Sequence, residues 1–138
     1  MTKQELSRHV ELRKQLAADL ELLASLEAAA GPGAQRLDGL PHASGIRDRV
    51  GDCAVAIVDA KEEIARTEAE IARSESAILA FIGTIGCLQT RTIFRLRFLS
   101  GMPWKEVAAA TGGGNTEGSV QKICYRYLEA RAREGAER

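Results

Sequence analysis

Residues 50–85 read VGDCAVAIVDAKEEIARTEAEIARSESAILAFIGTI, and Val50, Ile57, Ile64, Ile71, Ile78 and Ile85 fall seven residues apart. A strict heptad of branched apolar residues keeps one helix face turned toward a partner helix and imposes a left-handed supercoil. Three residues after each of the first five stand Cys53, Ala60, Thr67, Ser74 and Phe81, mostly small, which lets a neighbouring helix approach closely. The stretch therefore predicts a long helix, starting between Ser44 and Val50 and running to about Ile82, with Ile57, Ile64, Ile71 and Ile78 facing a first helix or a second protomer. Gly83-Thr84-Ile85-Gly86 ends it, because glycine weakens a helix by roughly 1 kcal/mol per residue.

Working toward the start, Thr2-Lys3-Gln4-Glu5 has the form of a capping box, in which a hydroxyl and a carboxylate satisfy opposing backbone N–H groups. A helix is expected from there to about Ala30, with a stripe of Leu12, Leu16, Leu20, Leu23 and Leu26. Gly31-Pro32-Gly33 stops it. Residues 31–45 form a linker whose Leu37 and Leu40, beside Pro41, can fold back over the hairpin end. Two long helices joined by a linker of this length pack most economically as an antiparallel hairpin. The stripe is narrow, so a homodimer through the hairpin is a further expectation.

Toward the other end three helices are readable: about Leu88 to Leu99, carrying Ile93, Leu96 and Leu99; Pro103 to Thr111; and Thr116 or Ser119 to about Arg133. Ser100-Gly101 and Gly112-Gly113-Gly114-Asn115 separate them. Thr116 or Asn115 is placed to cap the third. Val107 and Ala108 are expected inside, as are Val120, Cys124 and Leu128 with Ile123 and Tyr127 beside them. Trp104 is expected as a core side chain. A short helix, a glycine turn and a longer basic helix make a helix-turn-helix pattern. The fold class expected is all-α: a long antiparallel helical hairpin or coiled coil over residues 1–85, then a three-helix, helix-turn-helix module over residues 86–138.

Charge supports a nucleic-acid role for that module. The chain is neutral overall, but residues 1–86 hold 10 Lys/Arg against 14 Asp/Glu, while residues 87–138 hold 9 against 5. The candidate DNA-contacting residues are Thr116, Glu117, Ser119, Gln121, Lys122, Tyr125 and Arg126 on the third helix, with Lys105 from the second. Their donors suit base edges and phosphates. Arg91, Arg95 and Arg97 add positive charge for the phosphate backbone.

Trp104-Lys105-Glu106-Val107-Ala108, Gly112, Glu117-Gly118-Ser119-Val120 and Tyr125-Arg126-Tyr127-Leu128 resemble the helix-turn-helix of sigma-70-type region 4. Arg95-Leu96-Arg97-Phe98-Leu99-Ser100-Gly101 resembles the helix before it. With Leu40-Pro41, Val50-Gly51-Asp52 and the long hairpin, nearly the whole chain resembles a family of small phage-encoded, sigma-like regulators of late transcription. The resemblance implies a sequence-specific transcriptional regulator that binds double-stranded DNA and contacts RNA polymerase. Two other readings remain open at this level: a DNA-packaging protein like a terminase small subunit, and a protein-interaction module that docks on RNA polymerase.

Other chemistry finds little support. Cys53, Cys87 and Cys124 are scattered, and His9 and His42 fall at no metal-ligand spacing, so reduced thiols in a cytoplasmic protein are expected, with no metal and no cofactor. The Gly112–Gly114 run lacks the Gly-Lys-Ser/Thr ending of a phosphate loop and follows a helix. Glu62, Glu63, Glu68 and Glu70 stand among Arg66 and Arg73 as surface pairs, not as a catalytic pair. No catalytic constellation is visible, and an enzyme is not expected. The polar start, Met1-Thr2-Lys3-Gln4-Glu5, does not read as a signal peptide. The apolar runs Cys53–Val58 and Ala77–Ile82 are too short to span a bilayer, so no membrane association is expected.

Overall fold

A computed structural model of the chain describes residues 1–35 and 44–137, and side chains outside residues 32–50 and 137. The described residues are helical with no strand: α1 (Lys3–Gln35), α2 (Ser44–Gly83), α3 (Leu88–Phe94), α4 (Trp104–Thr111) and α5 (Glu117–Glu137). A π-helical turn, Arg95–Leu99, continues α3. The expectations for Leu37, Leu40 and Pro41 fall outside the described residues.

The element boundaries follow local chemistry. Thr2 and Glu5 form the reciprocal cap at the start of α1, with N–H to carboxylate and N–H to hydroxyl distances of 2.7 and 3.1 Å. Gly31 is non-helical (φ 11°, ψ −177°), so the regular part of α1 breaks where the Gly-Pro-Gly run begins. At the end of α2, the Thr84 N–H and hydroxyl both donate to the Phe81 carbonyl, which closes the last turn.

The chain divides into two compact units: Met1–Glu11 with Ile71–Arg138, and Leu12–Glu70. The boundary expected after residue 85 falls inside the first of these. Its core explains why. Leu6 of α1 and Ile78 and Ile82 of α2, with Ile85 just beyond, join Ile93, Phe94, Phe98, Trp104, Val107, Val120, Cys124 and Leu128 in one buried cluster. Short helices such as α3 and α4 bury too little surface to stand alone, and the apolar ends of the two long helices complete their core. His9 is also buried in this unit, its Nδ1 2.5 Å from the Ser74 hydroxyl, which itself donates to the Ile71 carbonyl.

The unit of residues 12–70 is the antiparallel helical hairpin. Leu12, Ile64 and Thr67 are buried in its seam, with Leu16, Leu23, Leu26, Ile57 and Ala60 half-buried beside them. Lys61 of α2 reaches Glu27 of α1 at 3.9 Å. One seam residue differs from the expected stripe. Leu20 is 46% exposed, and Asp19 takes the half-buried position instead. The reason is phase: a seam through Leu12 and Leu16 advances by three to Asp19 and then by four to Leu23. Gln15 holds the Asp19 carboxylate with a 2.8 Å hydrogen bond.

Ile64→Ala tests the seam. Removing a buried isoleucine is expected to destabilise by about 2 kcal/mol, at the low end of such losses because a two-helix seam collapses easily around a small void. Denaturant titration followed by circular dichroism measures it. A variant that unfolds with the parent would place Ile64 outside the seam.

Candidate nucleic-acid interface

The surface of interest is set by how α5 packs. Val120 and Cys124 are completely buried and Leu128 nearly so, while Ile123, Tyr127 and Arg131 are half-buried beside them. At 3.6 residues per turn this stripe fixes the opposite face as Gly118, Lys122, Arg126, Glu129 and Arg133, and all five are exposed. The α4 helix presents Trp104, Val107 and Ala108 to the same core and leaves Lys105 and Glu106 in solvent.

The connection between α4 and α5 depends on glycine. Gly112, Gly113 and Gly114 all have positive φ, at 62°, 63° and 76°. Gly112 also has ψ −153°, a region that side chains with a Cβ avoid at a cost of about 1–3 kcal/mol. The run thus allows a tight reversal before α5 starts. Asn115 and Thr116 then fix the start. The Thr116 N–H donates to the Ser119 hydroxyl at 2.8 Å, and the Ser119 N–H donates to the Thr116 hydroxyl at 3.1 Å. This is a capping box in which serine takes the place usual for Glu or Gln. The Asn115 amide nitrogen donates back to Thr111 at the end of α4.

The eight candidate residues therefore separate into groups. Lys122 and Arg126 lie exposed one turn apart on α5, and Lys105 is exposed on α4. Thr116 and Ser119 are committed to the cap, so their hydroxyls hold the helix start. Glu117 is exposed in the first turn, where a carboxylate suits the helix dipole but repels phosphate. Gln121 is half-buried on the flank of the helix. Tyr125 is half-buried too, edge-on to Trp104 at 6.0 Å between ring centroids. Burial pushes its phenol pKa up, so the hydroxyl stays neutral.

The three arginines of the preceding helix also divide. Arg97 lies 4.8 Å from the Trp104 ring and donates to the Met102 carbonyl, and Arg91 donates to the Ile85 carbonyl. Both brace the fold. Arg95 alone of the three is exposed. Lys3, which the sequence pattern did not single out, stands 4.2 Å above the Tyr125 ring. Its distance in sequence from α5 hid it, since only the folded core brings the start of α1 there.

The cysteines differ sharply in environment. Burial pushes the Cys124 thiol up to about 12 from an ordinary value near 9. Cys87 is exposed at the N-cap of α3, and the Thr90 backbone N–H, then the Thr90 hydroxyl, lower its pKa. A maleimide or disulfide reagent at pH 8 is expected to modify Cys87 first and to spare Cys124 until the fold opens. Cys124 also links stability to pH. The folded state keeps its proton above the unfolded value, so its contribution is complete below pH 9 and declines as pH rises toward 12. Peptide mapping after timed alkylation checks the order; early labelling of Cys124 would contradict its burial. Among the described residues no His, Cys, Asp and Glu group is arranged to hold a metal ion. No helix among them is long and apolar enough to cross a membrane.

Comparisons of this chain with protein families, with curated proteins and with solved structures found no match.

Proposed function

We propose that this chain is a sequence-specific DNA-binding regulator of transcription that acts by binding, without catalysis, and that α4, the glycine turn and α5 work as its helix-turn-helix. In this reading α5 enters the major groove. The role is sigma region 4-like and of phage or prophage origin, in keeping with the resemblance carried by Trp104–Ala108, Glu117–Val120 and Tyr125–Leu128. The observation that carries the proposal is the pair Lys122 and Arg126, exposed on one face in the first turns of a capped helix. Recognition helices present their base-reading residues at such a start. Lys105 and Arg95, both exposed, supply further charge for phosphates.

A second reading has its own support. The hydroxyl of Ser119 is taken by the cap, and Gln121 and Tyr125 are half-buried, so few neutral donors remain free to read base edges. That favours a module that docks on RNA polymerase through the same face. Fluorescence anisotropy of a labelled duplex at about 50 mM salt, with and without polymerase, separates the two. Direct binding that weakens steeply with salt is expected. Absence of duplex binding in both conditions would defeat the DNA reading, and capture by polymerase alone would put the docking reading in its place.

A further inference from the structure

Among the described residues of the hairpin, one side of α2 faces α1. Ile57, Ala60, Ile64 and Thr67 turn toward α1, and at about 100° per residue the opposite side carries Val55, Val58, Glu62, Ala65 and Ala69. These five are also spaced alternately by three and four, which is the spacing of a second helix-packing seam. All are exposed: Val55 is 71% accessible and Val58 57%. Ala54, Val55, Val58, Asp59 and Glu62 line a shallow groove of about 420 Å³ on this side.

The charges beside the stripe identify its occupant. Asp59 and Arg66 flank it on one edge, Lys61 and Glu68 on the other, and all four are exposed. We propose that this face of α2 binds the same face of a second copy of the chain, antiparallel, so that a second seam joins the two hairpins through their α2 helices, with α1 on the outer side of each. In the register that sets Val58 against Ala69 of the partner subunit, Glu62 meets the small Ala65 of the partner subunit, past which its side chain extends to keep the carboxylate in water and apart from its own copy. Antiparallel helices pair like edges, so Asp59 then lies beside Arg66 of the partner subunit and Lys61 beside Glu68 of the partner subunit. Two-fold symmetry makes each pair twice.

Other arrangements fail on charge. A slip of one heptad sets Asp59 and Lys61 each against its own copy, or Arg66 and Glu68 each against its own copy. A parallel pairing sets Lys61 against Arg66 of the partner subunit. The present partners of these side chains are no obstacle. Lys61 with Glu27 and Arg66 with Glu63 are exposed pairs, which contribute little and exchange readily. The hairpin also has reason to associate. The described seam buries only Leu12, Ile64 and Thr67, so covering Val55 and Val58 adds apolar burial that the hairpin alone lacks.

The proposal concerns α2 alone and stands whether or not α5 binds DNA. Sedimentation equilibrium of the full chain tests it. A concentration-dependent dimer is expected. Val58→Glu should raise its Kd at least about tenfold, and so should Lys61→Glu and Glu68→Lys singly, since each reversal sets like charges together at two places. The Lys61→Glu/Glu68→Lys double variant should return Kd to within about threefold of the parent. All these positions are exposed, so helical content by circular dichroism should not change. A chain that stays monomeric up to about 1 mM, a dimer indifferent to Val58→Glu, or a double variant that does not recover would each overturn the proposal.

Discussion

Phe94→Ala is expected to cost about 3–5 kcal/mol and to lower the melting temperature of the first unit by more than about 10 °C. Phe94 is fully buried. Its ring lies 5.7 Å from Phe81 of α2, 5.7 Å from Phe98 of the π turn and 5.8 Å from Tyr127 of α5. Its removal leaves a void bounded by three elements at once. None can close on it without pulling from the others, which is the circumstance in which cavity costs run high. Trp104, the single tryptophan, is buried 6.2 Å from Phe98 and reports the change through its emission. Leu79→Ala is the control, because Leu79 is 51% exposed on α2 and should shift stability by no more than about 0.5 kcal/mol. Equal losses in the two variants would mean that Phe94 is not the centre of the core.

The part of the fold that repeats was legible in the chain. Isoleucines seven apart define α2, and Thr2 with Glu5 or Gly83 with Thr84 marks helix ends through bonds that are local in sequence. Cys124 and Val120 were legible for the same reason, since a spacing of four repeats along α5. Phase was harder to read. Leu12, Leu16 and Leu20 also recur by four, and only contact with α2 selects Asp19 over Leu20. Between Leu88 and Leu99 the spacing picks out Ile93, Leu96 and Leu99, whereas Ile93, Phe94 and Phe98 are the buried set and Leu96 and Leu99 are half-buried. Both sets have helical spacing. The choice between them rests on Phe81 and Tyr127, which are near Phe94 only after folding. The candidate interface divided along the same line. Exposure of Lys122 and Arg126 follows from the buried stripe of α5 alone. The partial burial of Tyr125 depends on Trp104 and Lys3, from two other helices, and the commitment of Ser119 depends on the shape of the glycine turn.

Lys122→Glu/Arg126→Glu is expected to weaken duplex binding about a hundredfold or more at low salt, with no loss of helicity. Each side chain that meets DNA is worth roughly 1–3 kcal/mol, and reversal adds repulsion from the phosphates. Both residues are exposed, so neither contributes to the core whose integrity the melting curve reports. The single substitutions should then differ in kind. Lys122 lies in the second turn of α5, close to the capped start, where the proposed docking sets it against a base edge. Lys122→Ala should therefore relax preference at one position of the selected site. Arg126 lies one turn further along, where the same proposal sets it against a phosphate. Arg126→Ala should weaken all sequences alike and lower the slope of log K against log salt by about one. Gln121 is half-buried on the flank, and Gln121→Ala should change site preference less than Lys122→Ala does. Selection from random duplexes, followed by anisotropy across a salt series, distinguishes these outcomes. If the double reversal binds duplex as the parent does, α5 is not the DNA-contacting helix. If it binds more weakly but neither single substitution alters site preference, the face makes phosphate contacts only, and specificity must come from another surface or from the polymerase.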